Sequence, residues 1–280
     1  MNPERGDSTP GNQKKEAQMA VQEGITLEKK KGYAILKVDN PKTRNALSVP
    51  IVEYMEELVD EVIRDRSIRC LILEGGGEKS FIAGADIGGL YKMTPEESRY
   101  SIEVGHRLFS KIEMMDIPSI AAINGYCLGG GLEIAMSCDI RLCSANARFG
   151  QPEINIAMIP GWGATLRLPR LIGESRAKYL LLTGKMIRAD KALDWGLVAD
   201  VYESVDELHE EAEKLAAELA SKAPITMKMD KKMIYDSVGR QPTDIAQRDA
   251  LALGLLFTTH DAKEGLLAFL EKRAPEYTGE

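Results

Sequence analysis

Apolar residues recur at positions 51, 52, 55, 58, 59, 62 and 63 of "SVPIVEYMEELVDEVIRDRS" (48–67). That is helical spacing with one buried face. "GYAILKV" (32–38) reads instead as a strand bounded by a polar turn. "CLILEG" (70–75) is a short apolar run, the pattern of a buried strand. "SIAAIN" (119–124), "DIRLCS" (139–144) and "LVADVYES" (197–204) supply three more strands. Thr94-Pro95-Glu96-Glu97 is a capping box with Pro at the first helical position, and it opens a helix to about Met115. The same spacing recurs from Ser204 to Glu207, before "LHEEAEKLAAELASK". Strands thus alternate with helices to about residue 204, and the pattern is helical from there to about Arg273. The expectation is an α/β core over 21–204 followed by a helical C-terminal segment over 205–280.

The chain has 280 residues, 44% of them hydrophobic, enough to bury a sizeable core. No apolar run approaches the roughly 18–20 residues of a membrane-spanning helix. Residues 1–20 are polar and rich in Gly, Pro and charge, with no apolar core of a secretory signal, and are expected to form a disordered tail. A net charge of −7 argues against nucleic acid or an anionic membrane as the main partner. Cys70, Cys127, Cys138 and Cys143 form no CxxC pair and are expected to be reduced, buried thiols, which suits a cytoplasmic protein. No metal site is expected. "HEEAE" at 209 lacks a second His, and there is neither a GxSxG elbow nor a GKS/GKT phosphate loop. His106, His209 and His260 cluster with nothing in sequence and read as ordinary helix residues. Lys228, Lys231 and Lys232 read as a solvated helix face.

Three segments carry candidate chemistry. In "SIAAINGYCLGGGLEIAM" (119–136) glycines stand between a strand and a helix start, where backbone or ligand approaches closely and free N–H groups face what is bound. A dinucleotide fingerprint fails on spacing, because the third glycine of GxGxxG would fall at Ile134. Glu133 lies among Leu132, Ile134, Ala135 and Met136, where an ionised carboxylate is costly. On its own the segment reads equally as a tight turn with a satisfied glutamate. In "RFGQPEINIAMIPGWGATLRLPRLIG" (148–173) Glu153 precedes an apolar run, and alone it reads better as a strand-edge carboxylate paired with an arginine such as Arg148. Taken together, two glutamates beside glycine-opened backbone in an apolar cleft would titrate as a coupled pair, one giving a proton while the other takes one. In "SFIAGADIGGL" (80–90) a Gly/Ala-rich turn exposes N–H groups, with Asp86 as a helix cap.

These segments, in this order, resemble the crotonase (enoyl-CoA hydratase/isomerase) family. The residues that carry the likeness are "FIAGADI" (81–87), "INGYCLGGGLEIAMSCDIRLC" (123–143) and "FGQPEINIAMIPGWGATLRLPRLIG" (149–173), supported by "NPKTRNALS" (40–48) and "KEGLLAFLEKR" (263–273). The resemblance implies a spiral of ββα turns, a C-terminal helical segment that trimerises, and a homotrimer or a hexamer built as a dimer of trimers. It implies an acyl-CoA substrate and no separate cofactor, coenzyme A being part of the substrate. The thioester oxygen would accept from the amides of Ala85 and Gly130, an oxyanion hole. Glu133 would be the base on water attacking Cβ, Glu153 the acid delivering a proton to Cα, and Gly161 would leave room beside that water. Coenzyme A would meet the backbone around Ala83, Ala85, Asp86 and Ile87, with Lys272 and Lys42 at its phosphates or adenosine.

Both glutamates together favour syn hydration of a 2-enoyl-CoA or its reverse. Isomerisation, hydration of a cyclic dienoyl-CoA and a non-catalytic RNA-binding homologue are the alternatives. Two departures from the usual family text bear on the acyl pocket. They are Trp162 and Ala164 in "PGWGA", and the stretch "IGGLYKMTPEE" after Asp86. Trp162 either shortens the pocket, favours a cyclic or branched acyl chain, or packs on a neighbouring helix.

Overall fold

The computed structural model describes residues 24–280, and the tail expected at 1–20 lies outside them. The main sheet has six strands in the order β1 (Ile25–Lys29), β2 (Ala34–Val38), β3 (Leu71–Gly75), β5 (Ser119–Ile123), β7 (Ile140–Ser144) and β10 (Asp200–Tyr202). Only the β1–β2 pair is antiparallel; the four pairings that follow are parallel. Parallel sheets are covered on both faces, which explains why β3 and β5 read as unbroken apolar runs. Leu71, Leu73, Ala121 and Ile123 face the larger core, under helices α1 (Val49–Arg64) and α3 (Pro95–Met114). Ile72, Ile120 and Ala122 face the other side, under Leu208, Ala212 and Ala216 of α8 (Val205–Ala220).

The helical periods hold. Ile51, Val52, Met55, Leu58, Val59 and Val62 are buried along α1, while Ile63 is turned outward. The capping box at α3 is complete, with Thr94 and Glu97 each accepting from the other's backbone amide. At α8 only half of the box forms. Ser204 accepts from the Glu207 amide, but the Glu207 carboxylate accepts from Glu203 instead of Ser204.

A second sheet, of four short strands, was not foreseen. Its order is β4 (Ser80–Ile82), β6 (Tyr126–Leu128), β8 (Arg148–Gly150) and β9 (Met186–Arg188), with the first three parallel. This sheet positions the site. Each of its three parallel strands ends in one of the candidate segments. Ala83–Ala85 follow β4, with the short helix α2 (Ile87–Leu90) beyond. Gly129 and helix α4 (Gly130–Ser137) follow β6, and a 3-10 turn over Pro152–Ile156 follows β8.

Helices α5 (Ala164–Ile172), α6 (Glu174–Thr183) and α7 (Ala189–Asp194) lead back to β10. After α8 come α9 (Pro224–Asp236), α10 (Pro242–Leu256) and α11 (His260–Glu271), the expected helical segment. The lysine face on α9 is corrected at Lys231 and holds for Lys228 and Lys232, whose side chains stay exposed. Lys231 is nearly buried, donating at 2.8 Å to Asp139 and at 3.0 Å to the Ile117 carbonyl, while Lys228 and Lys232 pair with Asp116. These lysines fasten α9 to the core. All four cysteines are free and buried, as expected. No described helix is long and apolar enough to cross a membrane.

Candidate active site

A cavity of about 310 Å³ opens where the three parallel strand ends of the small sheet meet. Ala83, Ala85, Ile87, Gly130, Glu133, Glu153 and Gly161 all line it, joined by Leu90, Ile102, Met158, Ile159 and Trp162. Seven of the ten residues singled out in the sequence therefore converge. Asp86, Lys42 and Lys272 do not reach the lining. The Asp86 side chain caps α2 by accepting from the Gly88 amide at 3.1 Å, and it edges a separate hollow shared with Asn40, Thr43 and Ser48. Lys42 sits in the 3-10 turn Pro41–Thr43 beside that hollow, and Lys272 caps the C-terminus of α11 in a left-handed conformation (φ 57°).

The geometry at Gly129–Gly131 explains the glycine run. Gly129 has φ 52°, and a Cβ there would come within 2.8 Å of Glu153 Oε1. A Cβ on Gly131 would overlap the Ile82 carbonyl, so α4 could not lie against β4. Gly130 is the first residue of α4, and the helix begins without a side-chain cap. Among the described residues neither the Gly130 nor the Ala85 amide donates to a protein acceptor. Two unengaged amides thus line one apolar cavity, one of them at the positive end of a helix dipole.

Glu133 is 2% exposed. Its Oε1 accepts from the Trp162 amide at 2.7 Å and the Ala164 amide at 2.9 Å. Burial raises its pKa, and the Ala164 and Trp162 amides and the Arg167 charge pull the other way. Glu153, in the 3-10 turn, is only partly buried. Loss of solvent pushes its pKa up to about 7, against its own backbone amide, and the Glu133 charge adds to the rise. Arg148 is not its partner; that guanidinium donates to the carbonyls of Asn146 and Ala147. Two carboxyl groups of different environment therefore share one cavity, one anchored by amides and one protonated up to near neutrality.

Trp162 both packs on a helix and lines the cavity. Its ring lies edge-on to Phe109 at 5.4 Å between centroids, and Nε1 donates to the Ser101 carbonyl at 3.0 Å, so it packs on α3. The same ring forms part of the cavity wall, where a Cβ on Gly130 would come within 2.5 Å of it.

Two residues that sequence reasoning missed also belong to the site. Gln151 is fully buried, and with its amide nitrogen turned toward Glu153 it donates to both carboxylate oxygens at 2.9 and 3.0 Å. Arg167 donates to the Trp162 carbonyl at 2.8 Å. The signal for Gln151 was present in "FGQPE", where a polar side chain precedes the glutamate by two. Arg167 gave none, since Arg at helical spacing reads as surface.

The family model described as "Enoyl-CoA hydratase/isomerase" matches residues 28–280. The short-chain-enoyl-CoA hydratase of Clostridium acetobutylicum is 41% identical over 252 residues, covering 90% of this chain and 96% of that protein. The crotonyl-CoA hydratase of Syntrophomonas wolfei subsp. wolfei is 41% identical over 255 residues, covering 91% and 98%. Among solved structures, an enoyl-CoA hydratase from Bacillus anthracis superposes with a TM-score of 0.88 at 36% identity, covering 92% of this chain and all of that one.

Proposed function

The chain belongs to the enoyl-CoA hydratase/isomerase (crotonase) family, and from that membership we propose that it adds water reversibly and syn across the 2,3 double bond of an enoyl-CoA thioester. It acts as an enoyl-CoA hydratase, a hydro-lyase. The observation that carries the mechanism is the convergence of Glu133, Glu153 and two unengaged amides on one apolar cavity.

In this reading the thioester oxygen sits between the Ala85 and Gly130 amides. As water attacks Cβ, negative charge moves onto that oxygen, where the two amides and the α4 dipole stabilise it; losing one such donor typically costs about 3–4 kcal/mol. Glu133, its carboxylate held by the Trp162 and Ala164 amides, takes the proton from the attacking water. Glu153, with its pKa near 7, is protonated often enough at neutral pH to give its proton to Cα. Gln151 then stabilises the Glu153 carboxylate that remains. Both acids reach the substrate from one cavity, which is why the addition is syn. The chemistry calls for no metal and no cofactor beyond the coenzyme A of the substrate.

We place the acyl end against Trp162 and Ile102 of the cavity wall, where a short acyl chain would fit. Coenzyme A would run over Ala83, Ala85 and Ile87 toward the hollow at Asp86, with Lys42 beside it and Lys272 meeting its phosphates from the end of α11. The helical segment 205–280 exposes Leu251, Leu255, Phe257, Leu267 and Phe269, an apolar surface that supports assembly into a homotrimer or a dimer of trimers. Four buried free thiols fit a cytoplasmic protein.

Hydration of crotonyl-CoA, followed as loss of enoyl absorbance, tests the reading. Wild type should turn over, and Glu133→Gln and Glu153→Gln should each fall by about 10²–10⁴. Turnover that survives both substitutions would refute the two-acid mechanism.

A further inference from the structure

We propose that Arg167, gripped by Glu113, is a positioning residue for Glu133: it fixes the loop whose amides hold that carboxylate and places a buried guanidinium beside that loop. The inference deepens the reading of Glu133 as the base and rests on it.

Arg167 lies inside α5 and is 5% exposed. All three of its guanidinium nitrogens are engaged. Nε and Nη2 donate to Glu113 Oε2, at 3.1 and 2.6 Å, and Nη1 donates to the Trp162 carbonyl at 2.8 Å. Residue 162 is thereby held from both sides, its carbonyl by Arg167 and its amide by Glu133. Gly163 has φ 109°, and a Cβ on it would overlap Nη1, so the loop closes only with glycine there. Glu113 stands near the end of α3, so the pair ties α3, α5 and the loop into one frame around Glu133.

A buried ion pair is weak evidence of stabilisation, because well-packed apolar residues serve as well. Its placement one loop from a buried carboxylate gives it a different use. The charged and titratable groups around Glu133 are few. Glu153 faces it from the 3-10 turn and Arg167 from α5. Beyond Arg167 stand Glu113 and His106 of α3 and Tyr235 of α9, which line one further cavity with it. Of these, Arg167 is the fixed positive charge that opposes the burial of Glu133.

The test is the pH profile of kcat/KM on crotonyl-CoA for wild type, Arg167→Met, Arg167→Lys and Glu113→Gln, with melting temperature measured alongside. Arg167→Met should move the acid limb to higher pH and lower kcat on the acid side of the profile, with KM little changed. Arg167→Lys, which keeps the charge and loses the fork, should restore part of the limb. Glu113→Gln frees the Arg167 charge from its counter-ion and should move the limb the other way. A purely structural pair would lower stability in both variants and leave the limb in place, and that result overturns the proposal. So does a shift of the same sign in Arg167→Met and Glu113→Gln. The Glu133 carboxyl can also be followed directly by carbon-13 NMR, identified by its loss in Glu133→Gln. It should titrate higher in Arg167→Met than in wild type; an unchanged titration overturns the proposal, whereas the shift without any turnover faults only the hydratase reading.

Discussion

Replacing Glu153 by Gln should make the protein more stable and nearly inactive at once. An unfolded glutamate ionises near 4.5, whereas the folded Glu153 holds its proton up to about 7. Between those values the unfolded chain gains by ionising and the folded chain does not. The contribution of this carboxyl to stability is therefore intact below pH 4.5 and is lost as pH rises through 7. Above pH 7 the deficit is about 2–3 kcal/mol, once the partial exposure of the group is allowed for. Gln has the same shape and no charge to desolvate. Glu153→Gln should match wild type in melting temperature near pH 4.5 and exceed it by about 5–10 °C at pH 8. In the same preparation crotonyl-CoA hydration should fall by about 10²–10⁴. Calorimetry at the two pH values, paired with the hydration assay, reads both effects. A melting difference independent of pH would refute the argument from burial, and retained turnover would refute the role as acid.

Three further outcomes follow from the same geometry. Gly129→Ala puts a methyl group 2.8 Å from Glu153 Oε1 on left-handed backbone, so stability should fall by about 1–2 kcal/mol and hydration by at least tenfold, read by urea denaturation and turnover. Ile102 lies in the wall between the active-site cavity and its neighbour of about 450 Å³, so Ile102→Ala should raise the ratio of octenoyl- to crotonyl-CoA turnover by about tenfold in a chain-length series. Lys231→Met leaves Asp139 without its cation and removes the buried one of the three lysine ties on α9, which should cost about 1–3 kcal/mol in a denaturation series while leaving the acid limb of the pH profile unmoved.

What the sequence disclosed, and what it hid, divides along the two sheets. Strands β2, β3, β5 and β7 were legible as mostly apolar runs, β10 within the longer stretch "LVADVYES", helix α1 because its apolar residues repeat at a helical period, and α3 because a capping box marks its start. The second sheet was invisible. Strands β4, β6, β8 and β9 have three residues each, too few for any period, and three of them sit in Gly-rich text that reads as turn. Strand β1, "ITLEK", alternates at a sheet edge and buries only Ile25, so its pattern is weak. The active site hangs on that second sheet, so its residues were found by type and by family likeness instead of by placement. Glu133 was conspicuous because a carboxylate stood in an apolar helix. Glu153 looked like an arginine partner because a 3-10 turn at a strand end has no signature. Arg167 and Lys231 looked like surface, because the sequence does not show that Glu113 and Asp139 come from elsewhere to meet them.

The central claim is that one cavity delivers both the water and the proton to the same face of the substrate. Crotonyl-CoA hydrated in D2O and examined by proton NMR tests it directly, since the coupling between the Cα and Cβ hydrogens reports their relative configuration. The account predicts a single deuterium at Cα, on the face that receives the hydroxyl at Cβ, from wild type. Deuterium on the opposite face, or spread over both, would mean that Glu133 and Glu153 do not act on the same face of the substrate.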